Sequence, residues 1–318
     1  MQDPKRVLTI SYSQSGQIDR ILNSICDPMR AAGIEVICAT IQPKRAYPFP
    51  WPLMQFFNVF PETVYEDGPE VTLQTADQTD LNAIDFDLVI IGYQVWFLAP
   101  SLPVSSFLKT IEAKKLLSGQ RVVTVIGCRN MWLMAQERMK AHLHRLGAIL
   151  IDNVALTDRS HSAMTFLSTP IWVLTGYRGP WLSGFVPRAG VPDADISEAQ
   201  RFGRAISDAL TERDTNDCSP MLVGLGAVRI NDKLIQSEKA GTRSFAVWGK
   251  LLRWIGPPNS RLRRLVLCFF VLFLIALILT VVPIVALAKA ILRPALRKRI
   301  EAECAYYSQP SGETHTER

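Results

Sequence analysis

Five short apolar runs, each followed by a stretch with helical periodicity, constrain this chain of 318 residues more than any other feature. They are Val7 to Ile10, Ile34 to Ala39, Asp87 to Gly92, Gln120 to Ile126 and Ala148 to Leu156. Each is too short for a helix and mostly apolar on consecutive residues, the pattern of a parallel strand covered on both faces. Between them, Gln17 to Met29 sets Ile18, Ile21, Leu22 and Ile25 on one face, and Leu133 to Leu146 turns Met139, Leu143 and Leu146 inward. Gly33 and Gly147 stop those two helices, Pro103 opens another, and Ala199 to Leu210 closes the series. The alternation predicts an α/β fold with a doubly wound five-stranded parallel sheet over residues 1–210.

In such a sheet, ligands lie beyond the carboxyl ends of the strands, near the point where strand order reverses. Three loops leave strands at that edge. The first carries the hydroxyls of Ser11, Ser13 and Ser15 together with Gln14, Gly16 and Gln17, just ahead of a helix. Free amides and the positive end of the helix dipole would make it an anion cradle. The alternative is a surface turn whose serines only cap the helix. The loop has neither a G-x-G-x-x-G nor a G-K-S/T pattern, and no Lys or Arg between Ser11 and Ile18, so hydroxyls and amides would hold any phosphate. The second loop, Tyr93, Gln94, Val95, Trp96 and Phe97, offers flat faces that can stack on a planar heterocycle or pack as ordinary core. The third, Cys128, Arg129, Asn130, Met131 and Trp132, adds donors for a ring's carbonyl edge.

Tyr12-Ser-Gln-Ser-Gly-Gln17 resembles the Y-S-x-T-G-N-T phosphate loop of flavodoxins and related FMN proteins. Ser15 stands for the usual Thr, Gln17 for a frequent Asn, and Ile18 for the last Thr. Gly92-Tyr-Gln-Val-Trp-Phe-Leu-Ala-Pro100 is similar to the segment by which flavodoxin-like NAD(P)H reductases hold the isoalloxazine, with Gln94 where Pro is common. Cys128 to Glu137 and Trp172 to Gly176 resemble the flavodoxin-like proteins of dialkylresorcinol biosynthesis, often labelled condensing enzymes. The resemblance implies a flavodoxin-like fold. It also implies non-covalent FMN, with the phosphate on the first loop, the ring between the other two, and redox chemistry at N5 and C4a. NAD(P)H is the implied donor. The cofactor would carry the hard chemistry, and the protein would orient and tune it.

Residues 43–69 interleave six prolines with Tyr47, Phe49, Trp51, Phe56, Phe57 and Phe60, which forbids a long regular element. A short helix after Pro52 is compatible. The stretch is either a loop folded onto the domain or an apolar lid at a substrate mouth. His161, behind Asp158 and Arg159, is the candidate proton donor, and Tyr177 and Arg178 have similar standing. No metal-ligand spacing competes with this site.

Leu265 to Ala288 is a run of 24 residues without a charge. As a helix it would reach ~36 Å, enough for a ~30 Å hydrocarbon core. Arg261, Arg263 and Arg264 precede it, and Lys289, Arg293, Arg297, Lys298 and Arg299 follow, so charge does not orient it. The expectation is a single anchor; the alternative is a helix bent back to the cytoplasmic leaflet, which keeps both clusters near anionic lipid. Residues 211–264 read as a linker and juxtamembrane segment, and 289–318 as a basic, then polar, tail.

Net charge is +6, but 10 of the 35 basic residues lie between Lys250 and Arg299, so the excess is local and does not indicate nucleic acid. The six cysteines form no C-x-x-C pair, which fits reduced thiols. No apolar signal region opens the sequence, so the main domain is expected on the cytoplasmic side of an inner membrane. The functional expectation is a membrane-associated, FMN-dependent oxidoreductase for a lipophilic ring substrate, compatible with a homodimer. The alternative is a membrane-anchored electron carrier or a non-enzymatic scaffold.

Overall fold

The structure, a computed structural model, describes residues 4–159 and 162–312. β1 (Arg6–Ser11) has Val7, Leu8 and Ile10 wholly enclosed, as a strand flanked on both sides and covered on both faces requires. There follow α1 (Gln17–Ala31), β2 (Glu35–Pro43), α2 (Leu53–Asn58), α3 (Phe60–Tyr65), β3 (Val71–Thr75) and β4 (Leu88–Tyr93). The two-residue strands β5 (Val95–Trp96) and β6 (Ala99–Pro100) come next, then α4 (Leu102–Phe107), α5 (Ile111–Leu117), β7 (Arg121–Cys128), α6 (Leu133–Leu146) and β8 (Ile149–Thr157). The remainder is helical: α7 (Ser162–Thr175), α8 (Asp193–Glu198), α9 (Gln200–Glu212), α10 (Asp232–Ile255) and α11 (Arg261–Ser308).

The main sheet runs β3-β2-β1-β4-β7-β8 and is parallel except at β3. Its parallel strands follow the flavodoxin-like order. The sheet has six strands rather than the expected five. The addition, β3, pairs antiparallel along β2, Leu73 lying beside Ile41. It is short, polar on alternate residues and half-exposed at an edge, so it lacks the continuous apolar signature of its neighbours.

Alternate residues of the strands feed two cores. Val7, Ile90 and Val125 pack with Ile21, Ile25 and Phe202 of α1 and α9. Leu8, Ile91 and Val122 pack with Phe107, Met139 and Leu143 of α4 and α6. Helices α1 and α9 touch so closely at Gly203 that a Cβ there would lie 1.9 Å from Ile25 O. This fixes the helix behind the first loop.

The 211–264 stretch, expected as a linker, is folded against the domain. Leu222, Ala227, Val228 and Ile230 are buried, and α10 contributes Ile235 and Leu252 to the packing. Asp152 of β8 accepts from Met221 N at 2.7 Å and from Ser311 Oγ at 2.7 Å, tying both this stretch and the C-terminal segment to the sheet. The apolar run is part of α11, which is 48 residues long and carries the following basic cluster on the same helix. At its base Arg263 is 1% exposed and donates from Nη1 to Glu62 Oε1 at 2.8 Å. Arg261–Thr280 is long and apolar enough to cross a membrane, and only 17% of it is buried.

Candidate functional site

The carboxyl edge of the sheet collects all three loops. Ser11 lies beside Gly92 and Tyr93 beside Ile126, so the turns after β1, β4 and β7 emerge side by side. Strand order reverses between β1 and β4, which puts the first loop at the switch point.

The turn after β1 is the polar end. Gly16 leads into α1 at φ 75°, a conformation strained for any side chain, and no side chain caps the helix. The first amides of α1 therefore lack acceptors within the helix. Gln14 Nε2 donates to Pro48 O at 2.8 Å, while Gln17 Oε1 accepts from Val191 N at 3.2 Å. Ser11 Oγ is buried 3.5 Å from Asp19 Oδ1. Three of the expected phosphate contacts, Ser11, Gln14 and Gln17, are thus taken up by the protein itself. Ser13 Oγ is buried with no partner at hydrogen-bond geometry, its one polar influence within the protein being on the nearby Asp19 carboxyl. Together with half-buried Ser15 and Gly16 it is what the turn holds out to an anion. Burial raises the Asp19 carboxyl above its usual range, against the downward pull of the nearby Ser13 and Ser11 hydroxyls.

The ring end is apolar and closed. Tyr93 is wholly enclosed, its hydroxyl donating to Gln136 Oε1 at 2.6 Å, and Gln136 Nε2 donates onward to Thr124 Oγ1 at 3.0 Å. It is a strut beneath the loop and has no face free to stack on a ligand, which corrects its expected role. Val95 and Trp96 pair with Pro100 and Ala99 around Phe97 and Leu98, both at positive φ. That tight turn carries Phe97 away to Phe56 and Phe60, with ring centroids 5.0 and 5.2 Å apart. Trp96 itself meets the rings of Tyr12, Tyr47 and Trp51 at 6.1, 5.2 and 5.7 Å, which leaves it 9% exposed. Gln94 Nε2 is buried here without a partner.

The third loop holds Cys128, Arg129, Asn130 and Met131 half-buried and Trp132 buried. Asp158 N donates to Cys128 O and Arg129 O, both at 3.1 Å, joining this loop to the end of β8. Burial pushes the Cys128 thiol far above its ordinary value and lowers the Arg129 guanidinium.

The 43–69 stretch takes the first of its two expected forms, folding down over the second loop as an aromatic cover pinned by Trp51 N donating to Val173 O at 2.8 Å. One feature escaped the sequence. Glu238 of α10 is 0% exposed and accepts from Met134 N at 2.7 Å, so a carboxylate plugs the N-terminus of α6 behind the third loop. Burial, outweighing the amides of Met134 and Leu133, pushes it up to about 8. The signal lay in the phase of α10, where Glu238 falls in step with buried Ile235 and Leu252.

His161 lies outside the described residues. Arg159 pairs with Asp195 at 2.7 Å, and Tyr177 is 54% exposed, edge-on to Trp181. Arg178 donates from Nε to Ala189 O at 2.9 Å.

No protein-family model matches the chain, and no curated protein matches it. Among solved structures it is similar to a flavoprotein in complex with FMN from Lactobacillus acidophilus NCFM, at 16% identity and a TM-score of 0.38, over 47% of this chain and 91% of that one. It is also similar to a flavodoxin from the domain Archaea, at 11% identity and a TM-score of 0.35, over 65% and 99%. A third is oxidised flavodoxin 1 from Bacillus cereus, at 13% identity and a TM-score of 0.34, over 66% and 100%. Likenesses at this level carry no residue-by-residue correspondence.

Proposed function

We propose that the protein is an FMN-dependent oxidoreductase held at a membrane surface and acting on a lipophilic ring substrate. The observation that carries this reading is the set of donors left over at the switch point: the buried, unpartnered Ser13 Oγ beside the uncapped N-terminus of α1. An orphaned buried hydroxyl is unfavourable unless something bonds to it, and an anion does so here with help from the amides. The donor set suits a phosphate monoester: neutral hydroxyls and amides, a helix dipole and no competing cation in the loop.

Ser13, Ser15, Gly16 and the first-turn amides would hold the phosphate. Gln94 Nε2, also buried and unpartnered, would donate to a ring carbonyl, and Asn130 and Arg129 of the third loop, themselves joined at 3.3 Å, would add further polar contacts. Bound FMN supplies two-electron exchange with a ring substrate, and an NAD(P)H-type nucleotide is the proposed donor. Burial raises the Cys128 thiol, which disfavours the thiolate that carbon–carbon condensation would need. This favours interconversion of a cyclic dione with its aromatic diol, or reduction of a quinone.

The lipophilic substrate class follows from the cover. Rings run unbroken from Phe270 of α11 through Phe60, Phe97, Phe56 and Trp51 to Trp96, with successive centroids 4.7, 5.2, 5.0, 5.9 and 5.7 Å apart. That seam joins the exposed apolar helix to the second loop. The same burial of Trp96 favours a second reading, a scaffold whose ring site is permanently filled by Tyr47 and Trp51.

Detergent-purified protein separates the two. The enzyme reading expects a yellow protein that releases FMN on denaturation, identified by mass, and that bleaches with NAD(P)H. Colourless protein that does not take up added FMN would leave the scaffold.

A further inference from the structure

Both ends of α11 are docked on the same domain. Near its start Phe270 stacks on Phe60 at 4.7 Å and meets Trp248 of α10 at 5.1 Å. Near its end Glu303 accepts from Gln236 Nε2 at 2.7 Å and pairs with Lys239 at 3.2 Å, and Tyr307 is buried. Just beyond, Ser311 Oγ donates to Asp152 of β8. Trp248 and Lys239 are nine residues apart on α10, ~14 Å of helix. Phe270 and Glu303 are 33 residues apart on α11, ~50 Å if the helix were straight. Even with ~13 Å between Cα atoms at each bridge, the two points cannot be more than ~40 Å apart. The helix therefore bends between them, and Pro283 and Pro294, each lacking a backbone donor, fall in that interval.

The apolar surface continues beyond α11. Val247, Leu251 and Trp254 form an exposed stripe on α10, and Leu265, Phe269 and Leu272 are exposed on the first arm of α11. Exposed Lys250, Arg261 and Arg264 lie next to these stripes along the chain, and exposed Arg297, Lys298 and Arg299 follow the uncharged run, a charge pattern complementary to anionic lipid. A bend at Pro283 divides the 24-residue uncharged run into unequal arms of ~27 and ~8 Å, neither of which reaches across the ~30 Å core.

We propose that the chain is monotopic: α11 dips into one leaflet of an anionic bilayer as a bent helix and returns, so that the sheet domain and residues 296–312 lie on the same side. This replaces the single crossing expected from hydropathy. A crossing would tear Glu303, Tyr307 and Ser311 from their partners and carry Lys289 and Arg293 through hydrocarbon. The proposal rests on the membrane reading above, and its test separates the two.

The full chain, with a protease site and epitope appended after Arg318, is made in bacterial cells. These are converted either to spheroplasts or to inverted vesicles. The expected result is a membrane-bound protein whose epitope is cut in inverted vesicles and protected in spheroplasts. A membrane-bound protein whose epitope is cut in spheroplasts overturns the hairpin and leaves the membrane reading standing. Recovery in the soluble fraction overturns both. In a parallel flotation assay, purified protein should bind vesicles of phosphatidylglycerol and phosphatidylcholine at least tenfold more tightly than phosphatidylcholine alone. Phe269→Glu should reduce that binding by a similar factor while leaving the unfolding transition in place; equal binding in each comparison would contradict the assigned lipid face.

Discussion

Two helices begin at the same edge of the sheet, and their first turns are finished in opposite ways. The N-terminus of α1 follows Gly16, has no side-chain cap and sits beside the orphaned Ser13 hydroxyl. The N-terminus of α6 is closed from behind by Glu238, a carboxyl group brought in by α10. Both carry the same partial positive charge. Only the first is left for a ligand, since the second already has a buried carboxyl oxygen accepting from its first-turn amide. On the proposed reading, the contrast separates the two ends of the site, with the phosphate at α1 and the ring near the α6 loop.

The largest expected break in that contrast comes from Glu238. Its folded pKa of about 8 lies above the ordinary 4.5, so the folded state binds more protons than the unfolded chain between those values. The stability it contributes is present below pH 4.5 and is lost as pH rises to about 8, by ~5 kcal/mol on linkage grounds. Urea unfolding should show that slope, and Glu238→Gln should flatten it. An unchanged slope in the variant would mean that the carboxylate is not the plug described.

Trp51→Ala should cost ~3–5 kcal/mol of unfolding free energy, as for other large buried aromatics. The same change uncovers Trp96, so collisional quenching of tryptophan emission by acrylamide should rise even though one indole is gone. Quenching that falls would show that Trp51 does not cover the second loop.

Ser13→Ala sharpens the comparison because its two effects have opposite signs. Removing an unpaired buried hydroxyl should leave apo stability unchanged or slightly higher. Loss of a charge-assisted bond should weaken FMN binding by ~1.5–3 kcal/mol, or roughly tenfold to a hundredfold. Loss of both stability and binding would mark Ser13 as a structural cap.

The smallest effect is expected at Asp19, whose carboxylate faces the same turn. Asp19→Asn removes a repulsion and should tighten FMN binding by ~1 kcal/mol at neutral pH, with a gain that shrinks as pH falls toward the raised Asp19 titration. FMN affinities of the two proteins, measured over a falling pH series, read the difference.

The parallel strands were legible because each is a continuous apolar run, and a strand buried on both faces has no other way to look. β3 escaped because its Val71, Leu73 and Thr75 alternate with exposed residues at an edge. The polar turn after β1 could be read as a cradle, but which side chains it leaves free could not. Gln14 and Gln17 are engaged by Pro48 and Val191, the latter 174 residues away from Gln17. Glu238 was hidden for the same reason, since only the packing of α10 brings it to α6. Hydropathy left a single anchor and a bent-back helix both open for α11, because the residues that dock its far end, Glu303 and Ser311, are polar and lie outside the apolar run.

The central claim is that the turn after β1 grips a mononucleotide through its phosphate. It is tested most directly by titrating apoprotein with FMN and with riboflavin, which has the same ring and no phosphate, following flavin fluorescence. Several charge-assisted bonds made only by the phosphate predict that FMN binds at least ~100-fold more tightly, ~2.7 kcal/mol. Equal affinities, or no binding of either, would contradict it.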